Sequence, residues 1–365
     1  MDRILFLGDL LYDYNFIQKD IETMGLFFKK NNFFVIPNLE APLKSNNPRK
    51  KWINLYNHSN IIQVLKLLNV FAVNIANNHI MDWNNKGLFD LIQQLKKADI
   101  KYFGAGNCLD EAIAPCIIGL NQTKIGISGF GWKEEMCVPA SHNKPGVAPL
   151  QLSCVEKALQ IMTKNNVDKK VIHLHWGYEY EFYPLPIHRK LVHQMIDLGA
   201  DLIIGHHAHV IQAIETYRNK KIYYGLGNYY FGSRRVNFDT CKNPIGEQNS
   251  RFGLGVIWDT YKFETILFDS FNNNTRLINS KKYPLIDITH IPLSSYNSFF
   301  RKNRVSTRKP SLYISKYAFV ISIIKLYWCK NKESLVKYFV ILLDKIGLKE
   351  FVRKIYYKNK ELAQT

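Results

Sequence analysis

Short apolar runs recur along the first two thirds of the chain: ILFLG (4–8), FFVIP (33–37), VFAVNIA (70–76), KIGISGF (124–130), KVIHLH (170–175), DLIIG (201–205) and IYYGLG (222–227). Most are apolar throughout rather than alternating, the pattern of strands buried on both faces. FGLGVIWD (252–259) and TILFD (265–269) follow closely enough to pair with each other. Between the runs the apolar positions change to helical spacing. Leu88, Leu91, Ile92 and Leu95 fall at i, i+3, i+4 and i+7, Ile61, Val64, Leu65 and Leu68 repeat the pattern, and Ile187, Leu191, Met195 and Leu198 form a third stripe. Strand and helix in alternation predict an α/β architecture whose sheets are covered by helices. The segment 136–150, with three prolines, reads as a loop.

The pattern changes near residue 270. Beyond it, NNNT and RKNRVSTRKP are polar or basic, and SLYISKYAFVISIIKLYW and SLVKYFVILLDKIGLKEFVRKIYY intersperse lysines among apolar residues, as amphipathic helices do. We therefore expect a body over 1–270 and a basic, amphipathic, helical extension over 271–365. Charge sharpens that division. Residues 271–365 hold 19 Lys and Arg against 5 Asp and Glu, so +14 of the formal +19 lies there and the first 270 residues carry only +5. Hydrophobic residues at 47% and charged residues at 22% are globular values and exclude wholesale disorder. The six cysteines form no CxxC pair, which argues against a zinc module or a disulfide framework. No window is apolar enough for a transmembrane helix, and the N-terminus lacks a signal-like core. The expected location is cytoplasmic, with the basic tail offering peripheral contact at the inner membrane face. No nucleic-acid motif accompanies the charge, so no specific nucleic-acid partner is expected.

Chemistry concentrates where the apolar runs stop. Asp9 follows the first, Asn38-Leu39-Glu40 the second, and Asn77-Asn78-His79 the third; KVIHL ends in His175, and DLIIG leads into His206-His207-Ala208-His209. Seven of the eleven histidines lie between 173 and 209. In α/β sheets the carboxyl ends of strands converge on one crevice, and oxygen and nitrogen donors gathered there are what a divalent metal requires.

Six motifs, GDLL, NLEAPL, ANNHIMDWNNKG, HLHWGYEYEF, GADLIIGHHAHVIQ and YYGLGNYYF, in this order, resemble the CapA-type capsule and poly-γ-glutamate synthesis proteins over about residues 4–231. The resemblance implies a calcineurin-like metallophosphoesterase fold, a four-layer α/β/β/α sandwich. It implies metal ligands at Asp9, Glu40, Asn78, His175, His207 and His209, for two divalent ions (Mn, Fe or Zn), with His79 as the catalytic residue facing substrate. Such pairs of ions sit typically ~3.5–4 Å apart and act on phosphoesters. Asp82, His206, Glu179 and Asn228 are expected behind the ligands or against the substrate. Two positions depart from the wider superfamily: Leu11 stands where Asp-x-His has its histidine, and Glu40 replaces an aspartate.

The resemblance implies a metal-dependent enzyme that performs hydrolysis or transfer at a phosphoester in capsule or cell-surface polymer synthesis, on an anionic or peptide-like polymer precursor. Two alternatives stand beside it. One is a metal-independent acid–base enzyme on a peptide-like substrate; the other is a non-catalytic assembly subunit docking on a membrane-bound polymer synthase through its basic tail. The remaining polar residues have plainer readings. His58, His142, His188, His193 and His290 are expected to be structural or at the surface. His173 shares a strand face with His175, one rung further back. Arg189, early in a helix, is expected on a solvated face.

Overall fold

Successive residues of the first strand face different cores. Leu5 belongs to an apolar cluster with Ile21, Met24, Phe28, Leu65, Leu88 and Leu91, whereas Ile4 and Phe6 pack with Ile125, Ile127, Val171 and Ile204. That alternation places a sheet between helices on one side and a second sheet on the other.

The computed structural model describes residues 2–12, 16–51, 53–232, 248–271, 274–279 and 283–305. In chain order its elements are β1 (Arg3–Leu11), α1 (Gln18–Lys30), β2 (Phe33–Leu39), α2 (Ile61–Leu67), β3 (Ala72–Asn74), α3 (Asn84–Lys97), β4 (Lys101–Phe103), β5 (Ala105–Gly106), α4 (Leu109–Ile113), β6 (Cys116–Leu120) and β7 (Thr123–Gly131). There follow β8 (Gly146–Val147), α5 (Leu152–Lys164), β9 (Lys169–His175), α6 (Pro186–Asp197), β10 (Leu202–His206), β11 (Ile214–Tyr217), β12 (Lys220–Tyr223), β13 (Asn228–Phe231), β14 (Phe252–Trp258), β15 (Phe263–Phe271), β16 (Asn274–Ile278) and a last helix, α7 (Leu293–Asn303).

One sheet runs β16-β15-β14-β1-β2-β3-β4, with β13 also paired to β1; the other runs β11-β12-β10-β9-β7-β6. Strands β1 to β4 are mutually parallel, and β14 and β15 form the expected antiparallel pair. Helices α1, α2 and α3 cover the outer face of the first sheet. On the second sheet, Val155 and Met162 of α5, Val192 and Met195 of α6 and Tyr296 and Phe300 of α7 pack against Ile172, Leu174 and Ile203. The layers are therefore α/β/β/α, as the resemblance implied.

Register aligns the chemistry. Asp9 pairs with Asn38 and Asn38 with Asn74, a polar row across three strands of the first sheet. In the second sheet His175 pairs with His206 on one side and Gly131 on the other. The sheets approach closely beside these rows: a β-carbon on Gly129 would lie 2.1 Å from the Asn74 side-chain oxygen, so that position has room only for glycine.

Three expectations are corrected. Strand β16 and helix α7 lie past residue 270 in the same compact unit as the elements before them, so the body extends beyond the expected boundary. The rest of the basic extension lies outside the described residues. The stripe assigned to α6 is offset: Ile187 is 66% exposed and Leu198 39%, while His188, Arg189, Val192, Met195 and Ile196 are buried. Arg189 is accordingly not solvated. It forms a two-toothed ion pair with buried Glu215, 2.7 Å at the shortest, and lies over the Tyr296 ring. A guanidinium can occupy the apolar side of a helix when a carboxylate meets it there. Among the described residues no helix is long and apolar enough to cross a membrane.

Candidate metal centre

The carboxyl ends of β1, β2, β3, β9 and β10, and the loops that follow them, bring the expected residues to one place. Asp9, Glu40 and His209 are all buried, and one ligand atom from each lies within 4.8 Å of the others. Asn78 Oδ1 is 3.0 Å from His175 Nε2, and the His175 and His207 rings are 4.7 Å apart. The His207 and His209 rings are 6.0 Å apart.

The backbone here is held against its preferences. His207 has φ of 87°, His209 55° and Ala41, beside Glu40, 73°. Left-handed conformations at non-glycine residues cost of order 1–3 kcal/mol each and persist where surrounding contacts impose them. Those contacts are present. Asn77 Oδ1 accepts from the backbone N–H groups of Ala41 and His79, Asn57 donates to the carbonyls of Glu40 and Ala41, and the His207 N–H donates to Asp9 Oδ2.

Asp9 is fully buried, with one hydrogen bond to each carboxylate oxygen and two imidazoles close by. Asn38 Nδ2 donates to its Oδ1 at 2.8 Å, His206 Nδ1 lies 3.5 Å from that oxygen, and His209 Nδ1 lies 3.3 Å from Oδ2. Burial would raise this carboxyl, but the two histidines outweigh burial and hold it well below the usual range. Glu40 has no such donors. Both its oxygens are buried without a hydrogen-bond partner, and burial, then the Asp9 charge, push it well above the usual range. For His209, burial works downward, yet the Asp9 hydrogen bond and the Glu40 and Asp9 charges push it up to about 10. Burial lowers His175 strongly, keeping that ring neutral, as metal ligation requires. Both ring nitrogens of His207 are buried without hydrogen bonds.

These orphaned atoms test whether a metal fits. Two buried carboxylates side by side, one with no donor, and an imidazole with neither nitrogen satisfied are costly in isolation. A divalent cation among Asp9, Glu40, Asn78, His175, His207 and His209 would satisfy the Glu40 oxygens and one ring nitrogen of His207. The donor set is the mixed oxygen and nitrogen set such ions take.

His79 stands beside this group. Its Nδ1 is 2.6 Å from Asp82 Oδ2 and its Nε2 is 3.9 Å from Glu40 Oε1. Burial lowers the His79 pKa despite the Asp82 carboxylate. Asn228 Oδ1 is 2.9 Å from His209 Nδ1, and Asn228 donates in turn to the Ser250 carbonyl. Glu179 is exposed, near enough for its charge to act on Glu40 and His209. His206 turns inward, its Nε2 3.1 Å from His173 Nδ1 and its Nδ1 3.5 Å from Asp9 Oδ1, so of the two expected places it takes the one behind the ligands.

Sequence reasoning missed Asn74, Lys51 and Glu135, and gave Asn38 no role of its own. Asn74 donates to Asn38, which donates to Asp9 and lies 3.4 Å from His175 Nδ1. An asparagine inside each of two apolar strands was the available signal. Lys51 Nζ lies 2.8 Å from Asp82 Oδ1, 3.1 Å from the Asn78 carbonyl and 3.2 Å from His79 Nδ1. Glu135 is buried, 3.5 Å from His207 Nε2. Neither Lys51, within a run of basic residues, nor Glu135, beside Glu134, stands out in sequence.

Residues 3–233 match the family described as "Bacterial capsule synthesis protein PGA_cap". The chain belongs to this family. It is 31% identical over 262 residues to the PGA biosynthesis protein CapA of Bacillus subtilis, covering 66% of this chain and 68% of that one. It is also 31% identical over 212 residues to the capsule biosynthesis protein CapA of Bacillus anthracis, covering 56% of this chain. The matched region spans about half, 52%, of the length of that B. anthracis relative. A probable polyglutamine synthesis accessory protein of Mycobacterium tuberculosis is 31% identical over 47% of this chain and 48% of its own. Among solved structures, one described as a novel phosphatase from Mycoplasma pneumoniae superposes at a TM-score of 0.44 with 15% identity, over 76% of this chain and 92% of that one.

Proposed function

We propose that this PGA_cap protein is a metal-dependent hydrolase or transferase acting at a phosphoester during synthesis of a capsule or other cell-surface polymer. The observation that carries the reading is the buried group of Asp9, Glu40 and His209, with the Glu40 oxygens unpartnered, directly beside His79. Asp9, Glu40 and His209 would hold one ion, and Asn78, His175 and His207 would hold the second. Bound divalent ions, Mn, Fe or Zn, supply activation of water and offset charge on the phosphoryl oxygens.

The chain's own residues do the rest. Asp82 accepts the Nδ1 proton of His79, which fixes the tautomer and leaves Nε2 facing Glu40. Once the ring also takes up a proton at Nε2, that proton can pass to the departing oxygen of an anionic polymer precursor, which returns His79 to the neutral tautomer with Nδ1–H held by Asp82. Lys51 neutralises Asp82 from its other oxygen, so the carboxylate orients His79 without adding net charge to the site. Asn38 and His206 keep Asp9 from turning.

The test is elemental analysis of the purified chain beside Asp9→Ala and His207→Ala/His209→Ala, followed by a phosphoester screen with and without chelator. One to two equivalents of Mn, Fe or Zn, lost in the variants, with chelator-sensitive turnover, support the proposal. Protein that neither carries nor accepts metal overturns it and leaves an acid–base enzyme or an assembly subunit.

A further inference from the structure

The charge in the proposed centre is unevenly distributed. Asp9 and Glu40 lie with His209, whereas Asn78, His175 and His207 are all neutral donors. A divalent ion on that side would lack a carboxylate of its own. The turn after β7 holds one. In the segment Lys133-Glu134-Glu135-Met136, Glu134 points to solvent, Glu135 is 3% exposed and Met136 is 54% exposed. Hydrophobicity alone would bury the methionine and expose the glutamate.

The inversion is built into the backbone. Trp132 N–H donates to the His175 carbonyl at 3.0 Å, tying the turn to a residue of the centre. Glu135 N–H closes on the Trp132 carbonyl, and Met136 takes φ of 65°. The result aims the Glu135 carboxylate at His207, Oε2 lying 3.5 Å from Nε2. His207 is itself buried, strained and without a hydrogen bond at either ring nitrogen.

We propose that Glu135 belongs to the metal centre as a positioning residue, acting through His207 and supplying the negative charge on the side of His175 and Asn78. This rests on the metal reading above. A carboxylate against the ring nitrogen of a ligating histidine fixes the ring and strengthens it as a donor, and its loss typically costs ~10–100-fold in metal affinity.

The experiment strips the full chain with chelator and titrates Mn2+ by calorimetry and electron paramagnetic resonance. It compares the natural protein with Glu135→Gln, Glu135→Asp and the exposed neighbour Glu134→Gln, with folding checked by circular dichroism. In Glu135→Gln the affinity for at least one Mn2+ should fall ~10–100-fold. Glu135→Asp should recover part of it, and Glu134→Gln should match the natural protein. Unchanged Mn2+ affinity in folded Glu135→Gln, even with a lowered melting temperature, makes Glu135 a structural residue only and overturns the proposal. Should Glu135→Gln fail to fold, unchanged affinity in Glu135→Asp overturns it equally. A natural protein that takes up no Mn2+ instead removes the metal reading, and this proposal with it.

Discussion

Removing Glu215 tests the account of the second sheet most directly. Its carboxylate accepts from Arg189 Nε and Nη2, from the Tyr224 hydroxyl at 2.6 Å and lies 2.9 Å from His193 Nε2, all beneath α6. Arg189 is 2% exposed and Glu215 3%. In Glu215→Ala the guanidinium stays buried and, among the described residues, keeps the Ile288 carbonyl and the Tyr296 ring. Leaving one member of a buried ion pair costs ~3–5 kcal/mol, and the lost hydrogen bonds overlap with that figure rather than adding to it. We expect about 4 kcal/mol. Arg189→Met should cost less, since Tyr224 and His193 still serve Glu215, and the double variant Arg189→Met/Glu215→Leu should fall well short of the sum of the singles. Urea unfolding followed by circular dichroism measures all three. A Glu215→Ala cost below ~1 kcal/mol, or strict additivity in the double variant, would refute the reasoning.

The same carboxylate sets an acid limit. Burial would raise it, but His193, Arg189 and Tyr224 outweigh burial and hold it at about 2, against 4.5 for an ordinary glutamate. A depressed carboxylate stabilises the fold above about 4.5, and that stability is lost as pH falls from there through about 2.

Three further outcomes are expected. His188, stacked on Trp176 at 4.4 Å, is pushed down to about 3 by burial, so the unfolded chain takes up its proton first and stability declines as pH falls from 6.5 toward 3; His188→Phe should keep the stack and flatten the melting temperature between pH 7 and 5, and an unchanged slope counts against burial as the cause. Gly8→Ala places a β-carbon 2.0 Å from the Gly227 carbonyl oxygen, which also accepts from the Asp9 N–H; a loss of ~1–3 kcal/mol should appear in urea unfolding, and a neutral result denies the close approach of β1 to the turn before β13. Asn38→Ala removes the donor to Asp9 and should weaken metal uptake ~10-fold or more, read by Mn2+ titration against a natural-protein control.

Much of the architecture was legible along the chain because burial writes periodicity into sequence. Strand β1 reads as continuous apolar residues because helices cover one face and a sheet the other. The candidate ligands were legible because each interrupts or follows such a run, where apolar packing gives no reason for a carboxylate or imidazole. Resemblance then assigned the roles that spacing left open.

Other features depended on contacts between distant segments. The α6 stripe misled because Arg189, charged and therefore read as exposed, meets Glu215 twenty-six residues later in sequence. Lys51 gains its place only when β3 brings Asn78 and His79 beside it, and Glu135 only when the turn after β7 folds against His207. The linear pattern by itself determined the central strands of both sheets, though not short or edge strands such as β4, β6 and β16, and with them most of the helical faces and the polar strand ends, since these follow from local burial. Which charges meet, which nitrogen of His79 faces the site and which glutamate of a pair turns inward were decided by the tertiary structure, because desolvation and pairing are properties of neighbours that the chain brings together only on folding.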